Sequence, residues 1–111
     1  MEKENIINAL VKCAIICRKS GFNCLKEDNI DPLKSCIEIN VLTAETCERI
    51  VEIMIVSNTV KLNKLIKQCE RQLLLCMSEC SKHDNEHCLI SVEACKECAI
   101  ACQNFIQNQT L

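Results

Sequence analysis

Twelve cysteines stand in a chain of 111 residues that contains one glycine and one proline. Tight turns need glycine and proline, so their scarcity argues against a turn-rich β fold. It argues equally against a small disulfide-stapled scaffold, which is usually rich in loops. What remains is a helical chain carrying many thiols. Charged residues make up 25 % and apolar residues 49 %, an ordinary balance for a soluble globular protein. The length fits a single domain over residues 1–111.

Charge and composition remove further classes. The net charge is −2, there is no basic run, and the only aromatic residues are Phe22 and Phe105. Nucleic acid, which needs a clustered positive footprint, is not an expected partner. No apolar run approaches the ~18–20 residues of a membrane span, and Lys12 interrupts the first apolar stretch. The opening Met-Glu-Lys-Glu-Asn lacks the positive region of a secretory signal. The expected location is therefore the cytoplasm, where thiols are mostly kept reduced.

Apolar residues recur at helical spacing throughout. Four helices are expected. The first runs from about Lys3 to Glu27. Asp31 stands as an N-cap with Pro32 at the first helical position, opening a second helix that reaches about Ser57. Asn58 and Thr59 form a polar break. The third helix runs to about His83, Asp84-Asn85 makes a turn, and the fourth spans about Glu86 to Asn108. Links this short make successive helices antiparallel neighbours. The expected fold is all-α: an antiparallel up-down-up-down four-helix bundle with a cysteine-lined core. Gly21 inside the first helix is a weak point, costing ~1 kcal/mol against alanine.

The cysteines follow the seams. The first helix gives Leu10, Cys13, Cys17 and Cys24; the second gives Cys36, Asn40, Thr43, Cys47, Ile50 and Met54. The third gives Leu62, Leu65, Cys69, Leu73, Cys76, Cys80 and His83; the fourth gives His87, Cys88, Ser91, Cys95, Cys98, Cys102 and Phe105. Steps of three and four place each series on one helix face. Folding the helices back at their turns puts Cys24, Cys36, Cys80 and Cys88 at one end with His83 and His87. Cys17, Thr43, Cys76 and Cys95 come next, then Cys13, Cys47, Cys69, Cys98 and Cys102. The opposite end collects Leu10, Ile50, Met54, Leu62, Leu65, Phe105 and Ile106. Cysteine packs as a small hydrophobe, but leucine or isoleucine would bury more apolar area at these places. Twelve thiols on four seams therefore point to a ligand.

Cu(I) suits this arrangement. Cys13/Cys17, Cys76/Cys80 and Cys98/Cys102 lie one helical turn apart on a shared face, and soft Cu(I) accepts low-coordinate sulfur sites. Zinc prefers four tetrahedral ligands, usually from paired Cys-x-x-Cys loops. The single Cys-x-x-Cys here, Cys95/Cys98, is mid-helix. Many bare thiolates could not be buried together, whereas one Cu(I) per thiolate neutralises the core. Roughly one ion per cysteine, about 12, is the expected load. His83 and His87 flank the third turn and suit an entry site; Met54 and Met77 are read as packing residues. The alternative is a zinc buffer or structural zinc protein using Cys80, His83, His87 and Cys88. An iron–sulfur carrier would need a four-thiolate cluster, commonly from loops. No thiol has its own base and orienting partner, so no enzyme is expected. A di-iron bundle fails because Cys80 and Asp84, three residues before His83 and His87, are not the glutamates it needs.

The run Cys69-x6-Cys76-x3-Cys80-x2-His83-x3-His87-Cys88-x6-Cys95-x2-Cys98-x3-Cys102 resembles the cysteine-rich four-helix-bundle copper storage proteins of the cytosolic type. Cys13-x3-Cys17-x6-Cys24 extends the resemblance into the first helix. It implies thiols that take up many Cu(I) ions, His83 and His87 as mouth ligands, and assembly into homotetramers; it does not identify a copper chaperone as donor. The second helix departs from the pattern. Asn40 and Thr43 hold seam positions where further cysteines are expected, so Cys36 and Cys47 are ligands by position more than by motif. The departure lowers the capacity or interrupts the metal chain on that wall.

Overall fold

A computed structural model of the chain, describing residues 2–57 and 61–109, contains four α-helices and, among the described residues, no strand. They are α1 (Glu2–Cys24), α2 (Lys34–Val56), α3 (Leu62–Cys80) and α4 (Glu86–Gln109). Each helix packs on its neighbours in chain order, and α1 also packs on α4, closing the bundle; the α2–α3 side is the loosest. The body measures 48 × 22 × 19 Å. The expected bundle is the observed one.

Helix ends differ from expectation where backbone bonds tighten. Beyond Cys24 the chain continues in i→i−3 bonds, from Leu25 N–H to Phe22 O, Lys26 to Asn23 and Glu27 to Cys24. Asp31 is not a side-chain cap of α2. It begins a 3₁₀ turn, Asp31–Leu33, containing Pro32, and its own N–H is held by Asn29 Oδ1 at 3.3 Å. Likewise α3 stops at Cys80, short of His83. Ser81 N–H and Oγ both donate to Met77 O, at 2.9 and 2.6 Å, and the next two N–H groups reach back three residues. At the start of α4, Asn85 is the cap: its Oδ1 accepts the N–H of His87 at 3.2 Å. The expected break at Asn58 and Thr59 lies outside the described residues.

The core is polarised as expected. Ile6, Leu10, Ile50, Met54, Leu62, Ile66 and Phe105 are buried at the end where the chain begins. Here one expectation is corrected. Leu65 is half-buried, and Ile66 takes the seam, 0 % exposed. Steps of 62→65→69 and 62→66→69 are both helical, so two adjacent apolar residues left the choice to packing. Small residues, Ala14, Gly21, Ala44, Ala94 and Ala99, let the helices approach. A Cβ on Gly21 would meet Asn40 Cβ, Ile37 O and Val41 Cγ2 at 3.6 Å each, which is ordinary contact.

Candidate metal centre

All twelve cysteines are buried and free of disulfides. Their sulfurs form one connected column along the bundle axis. At the outer end each helix contributes one thiol. Cys36 Sγ lies 3.1 Å from Cys88 Sγ and 3.2 Å from Cys80 Sγ, and Cys24, Cys36 and Cys88 lie within 4.8 Å of one another. Cys80 reaches Cys76 at 4.0 Å. Cys76 bonds with Cys17 and Cys95, and Cys17 lies 3.8 Å from Cys95 and 3.9 Å from Cys13. Cys13 gathers with Cys47 and Cys98. Cys69 bonds with Cys102 and Cys47, and Cys102 with Cys98. The layers are those that the helical spacing implies.

Two thiolates with metal–sulfur bonds of about 2.3 Å, the zinc value, can share an ion at such separations. The groups of three metal-ligating side chains among the described residues are all-cysteine: Cys13/Cys47/Cys98, Cys13/Cys17/Cys95 and Cys24/Cys36/Cys88. Three converging sulfurs fit soft Cu(I) better than zinc, which wants a fourth ligand.

The column also sorts its protons. Cys36 accepts from Cys80 and Cys88, which pushes its thiol down to about 6. Cys69, accepting from Cys102 and Cys47, is pushed down to about 5. Cys13 and Cys76 are held well below the ordinary thiol range by surrounding donors, first among them Cys17 in each case. The donors move the other way. Cys17, Cys47, Cys80, Cys95 and Cys102 are raised by their sulfur partners first, and Cys24 and Cys88 by burial first. Sulfur–sulfur hydrogen bonds thus push some thiols down and their partners up along the column.

The seam oxygens of α2 are fully engaged. Asn40 Nδ2 donates to Cys36 O at 2.9 Å, Cys36 Sγ at 3.4 Å and Cys80 Sγ at 3.5 Å. Its Oδ1 accepts from Ser91 Oγ at 2.7 Å and from Cys76 Sγ at 3.7 Å. Thr43 Oγ1 accepts from Gln72 Nε2 at 3.1 Å.

His83 and His87 sit at the thiol-rich end but face carboxylates. His83 Nε2 is 3.3 Å from Glu79 Oε2, and His87 Nε2 is 3.7 Å from Glu27 Oε1. Asn85 Nδ2 donates to that same Glu27 oxygen at 3.0 Å. Glu27, His83 and Asn85 also border an open hollow with Asp28, Lys82 and Asp84. The proposed zinc set of Cys80, His83, His87 and Cys88 does not gather within 4.8 Å. Both cysteines turn inward to Cys36, so the zinc reading is not favoured. Sequence reasoning missed Glu27, Glu79 and Asn85. Glu79 was findable, one turn before His83; Glu27 and Asn85 are 58 residues apart, joined only by the fold.

Compared with known proteins, residues 1–107 match the family model described as Csp, copper storage protein. A Bacillus subtilis (strain 168) relative, the uncharacterized cysteine-rich protein YhjQ, is 29 % identical over 102 residues, 92 % of this chain and 94 % of the relative. The Cu(I)-bound copper storage protein BsCsp3 superposes with a TM-score of 0.87 at 27 % identity, over 96 % of this chain and 99 % of that one. A cytosolic copper storage protein from Streptomyces lividans, in a structure with five coppers, gives 0.86 at 25 % identity over 96 % and 95 %.

Proposed function

This chain belongs to the copper storage protein family, and from that membership we propose that it stores Cu(I) on the thiolates of its own core. The observation that carries the reading is the column of twelve buried cysteine sulfurs, none of them in a disulfide. The column takes roughly one ion per thiolate, about 12 in all, since that ratio leaves the buried site neutral. Its ligands are Cys13, Cys17, Cys24, Cys36, Cys47, Cys69, Cys76, Cys80, Cys88, Cys95, Cys98 and Cys102. Each bound ion displaces thiol protons, so loading releases acid. Cu(I) enters at the end bearing His83 and His87, whose imidazoles hold it more loosely than thiolate and pass it inward. The protein acts in the cytoplasm, by binding and without catalysis. Assembly into homotetramers belongs to the same reading; exposed Leu74, Leu75, Leu89 and Ile100 are compatible with it.

The test is an anaerobic titration of Cu(I) into reduced protein against a chromogenic Cu(I) chelator. About 8–14 ions held per chain against the chelator is the expected result. A count of about zero to two would remove the storage function and return the cysteines to a discrete zinc site or a structural role.

A further inference from the structure

His83 is tied to the thiol column through its backbone and to a carboxylate through its side chain. Its N–H donates to Cys80 O at 3.2 Å in the tightened turn that ends α3. Its ring Nε2 lies 3.3 Å from Glu79 Oε2, one helical turn back. The two side chains are 17 % and 22 % exposed, so water competes poorly for that contact. His87, next to Cys88, repeats the arrangement across the fold. Its own N–H is capped by Asn85 Oδ1 at 3.2 Å. Asn85 Nδ2 donates to Glu27 Oε1 at 3.0 Å, and that oxygen lies 3.7 Å from His87 Nε2. Among the described residues no hydrogen bond reaches Nδ1 of either ring.

Neutral imidazole, the form that binds a metal, has one N–H and one lone pair. A carboxylate only accepts. Beside Nε2 it keeps the proton there and leaves the lone pair on Nδ1. Resting on the entry role of the histidines, we propose that Glu79 is a positioning residue: it fixes the Nε2–H tautomer of His83 and so makes Nδ1 the atom that receives Cu(I). Glu27 does the same for His87 more loosely, because its oxygen is farther from the ring and already accepts from Asn85. Neither carboxylate takes the ion itself, since hard oxygen competes poorly with nitrogen and sulfur for Cu(I). The pairing therefore aims the entry ligands without adding to the store.

Two measurements on the reduced, metal-free full chain test this. In mildly alkaline buffer, where imidazole is neutral, two-bond proton–nitrogen correlation spectra report the tautomer of each ring. His83 is expected as the Nε2–H form, and His87 as a mixture richer in that form. Stopped-flow mixing with Cu(I), supplied anaerobically as its acetonitrile complex, gives the loading rate. Glu79→Leu should lose the tautomer preference of His83 and load about tenfold more slowly. Glu79→Gln, whose amide oxygen still accepts, should keep most of both, and Glu27→Leu should cost less than Glu79→Leu. In a His83→Ala background, Glu79→Leu should slow loading no further, because it acts only through that ring. Circular dichroism verifies that each variant folds. An Nδ1–H tautomer of His83 in the wild-type protein would overturn the proposal. So would further slowing by Glu79→Leu without His83, or a Glu79→Gln variant as slow as Glu79→Leu. Each of these results leaves the entry role standing. A His83→Ala, His87→Ala variant that loads at the wild-type rate would overturn the entry role itself, and this proposal with it.

Discussion

The sulfurs of Cys36 and Cys88 lie 3.1 Å apart across the bundle, joining α2 to α4 just inside the histidine-bearing end. Cys36 also touches Cys80, and Cys24 stands within 4.8 Å, so it is the hub of the first layer. Serine at this position keeps a polar partner for Asn40 but supplies a hard oxygen. Cys36→Ser is expected to lower Cu(I) capacity by about one to two ions and to slow uptake, with helicity unchanged. Chelator titration and stopped-flow loading measure both.

His83 and His87 stand outside the sulfur column, each held by a carboxylate. Replacing both with alanine should therefore slow loading more than it lowers the final count. Loading time courses at equal protein concentration decide it; equal rates would remove the entry role.

The thiols set a pH dependence for the metal-free protein. Cys17, Cys24, Cys47, Cys80, Cys88, Cys95 and Cys102 are raised above the ordinary 9.0. Above pH 9 the unfolded chain loses protons that the folded chain keeps, so their contribution is full below that pH and is lost as pH rises. Cys36 and Cys69, at about 6 and about 5, run oppositely. Their contribution is present above pH 9 and disappears as pH falls through those values. Melting curves of reduced apoprotein should show Tm falling on both sides, and Cu(I) loading should flatten the alkaline side. A Tm that is level from pH 8 to 10.5 would contradict the proton-holding role of the donors.

Gly21 lies in the middle of a helix, and a methyl group there meets α2 at 3.6 Å without collision. Gly21→Ala should stabilise the apoprotein by ~1 kcal/mol, seen as a higher denaturant midpoint with an unchanged copper count.

Leu10 is fully buried among the apolar residues that close the far end. Leu10→Ala should cost about 2–5 kcal/mol of apoprotein stability. Much of that loss should be recovered on loading, since metal bound to the folded state alone stabilises it.

The layers were legible because cysteine spacing and helix direction together fix height along a bundle. Cys24, Cys36, Cys80 and Cys88 needed only three turns to be counted from, and an error of one or two residues at a helix end does not move a seam. The same tolerance hid the ends themselves. Whether α3 stops at Cys80 or His83 depends on Lys82 and His83 trading i→i−4 for i→i−3 bonds, a small local preference that periodicity does not register. Leu65 and Ile66 show another limit, because both satisfy the helical step. Asn40 was visible as a departure from the cysteine pattern. Its hydrogen bonds to residues up to 51 positions away were not, since they exist only once four helices share one axis.

The apolar closure formed by Leu10, Ile50, Met54, Ile66 and Phe105 makes the interior a blind tube. On the proposed storage reading such a tube has one door: ions near Cys69 and Cys102 would lie farthest from it, and ions on Cys24, Cys36, Cys80 and Cys88 nearest.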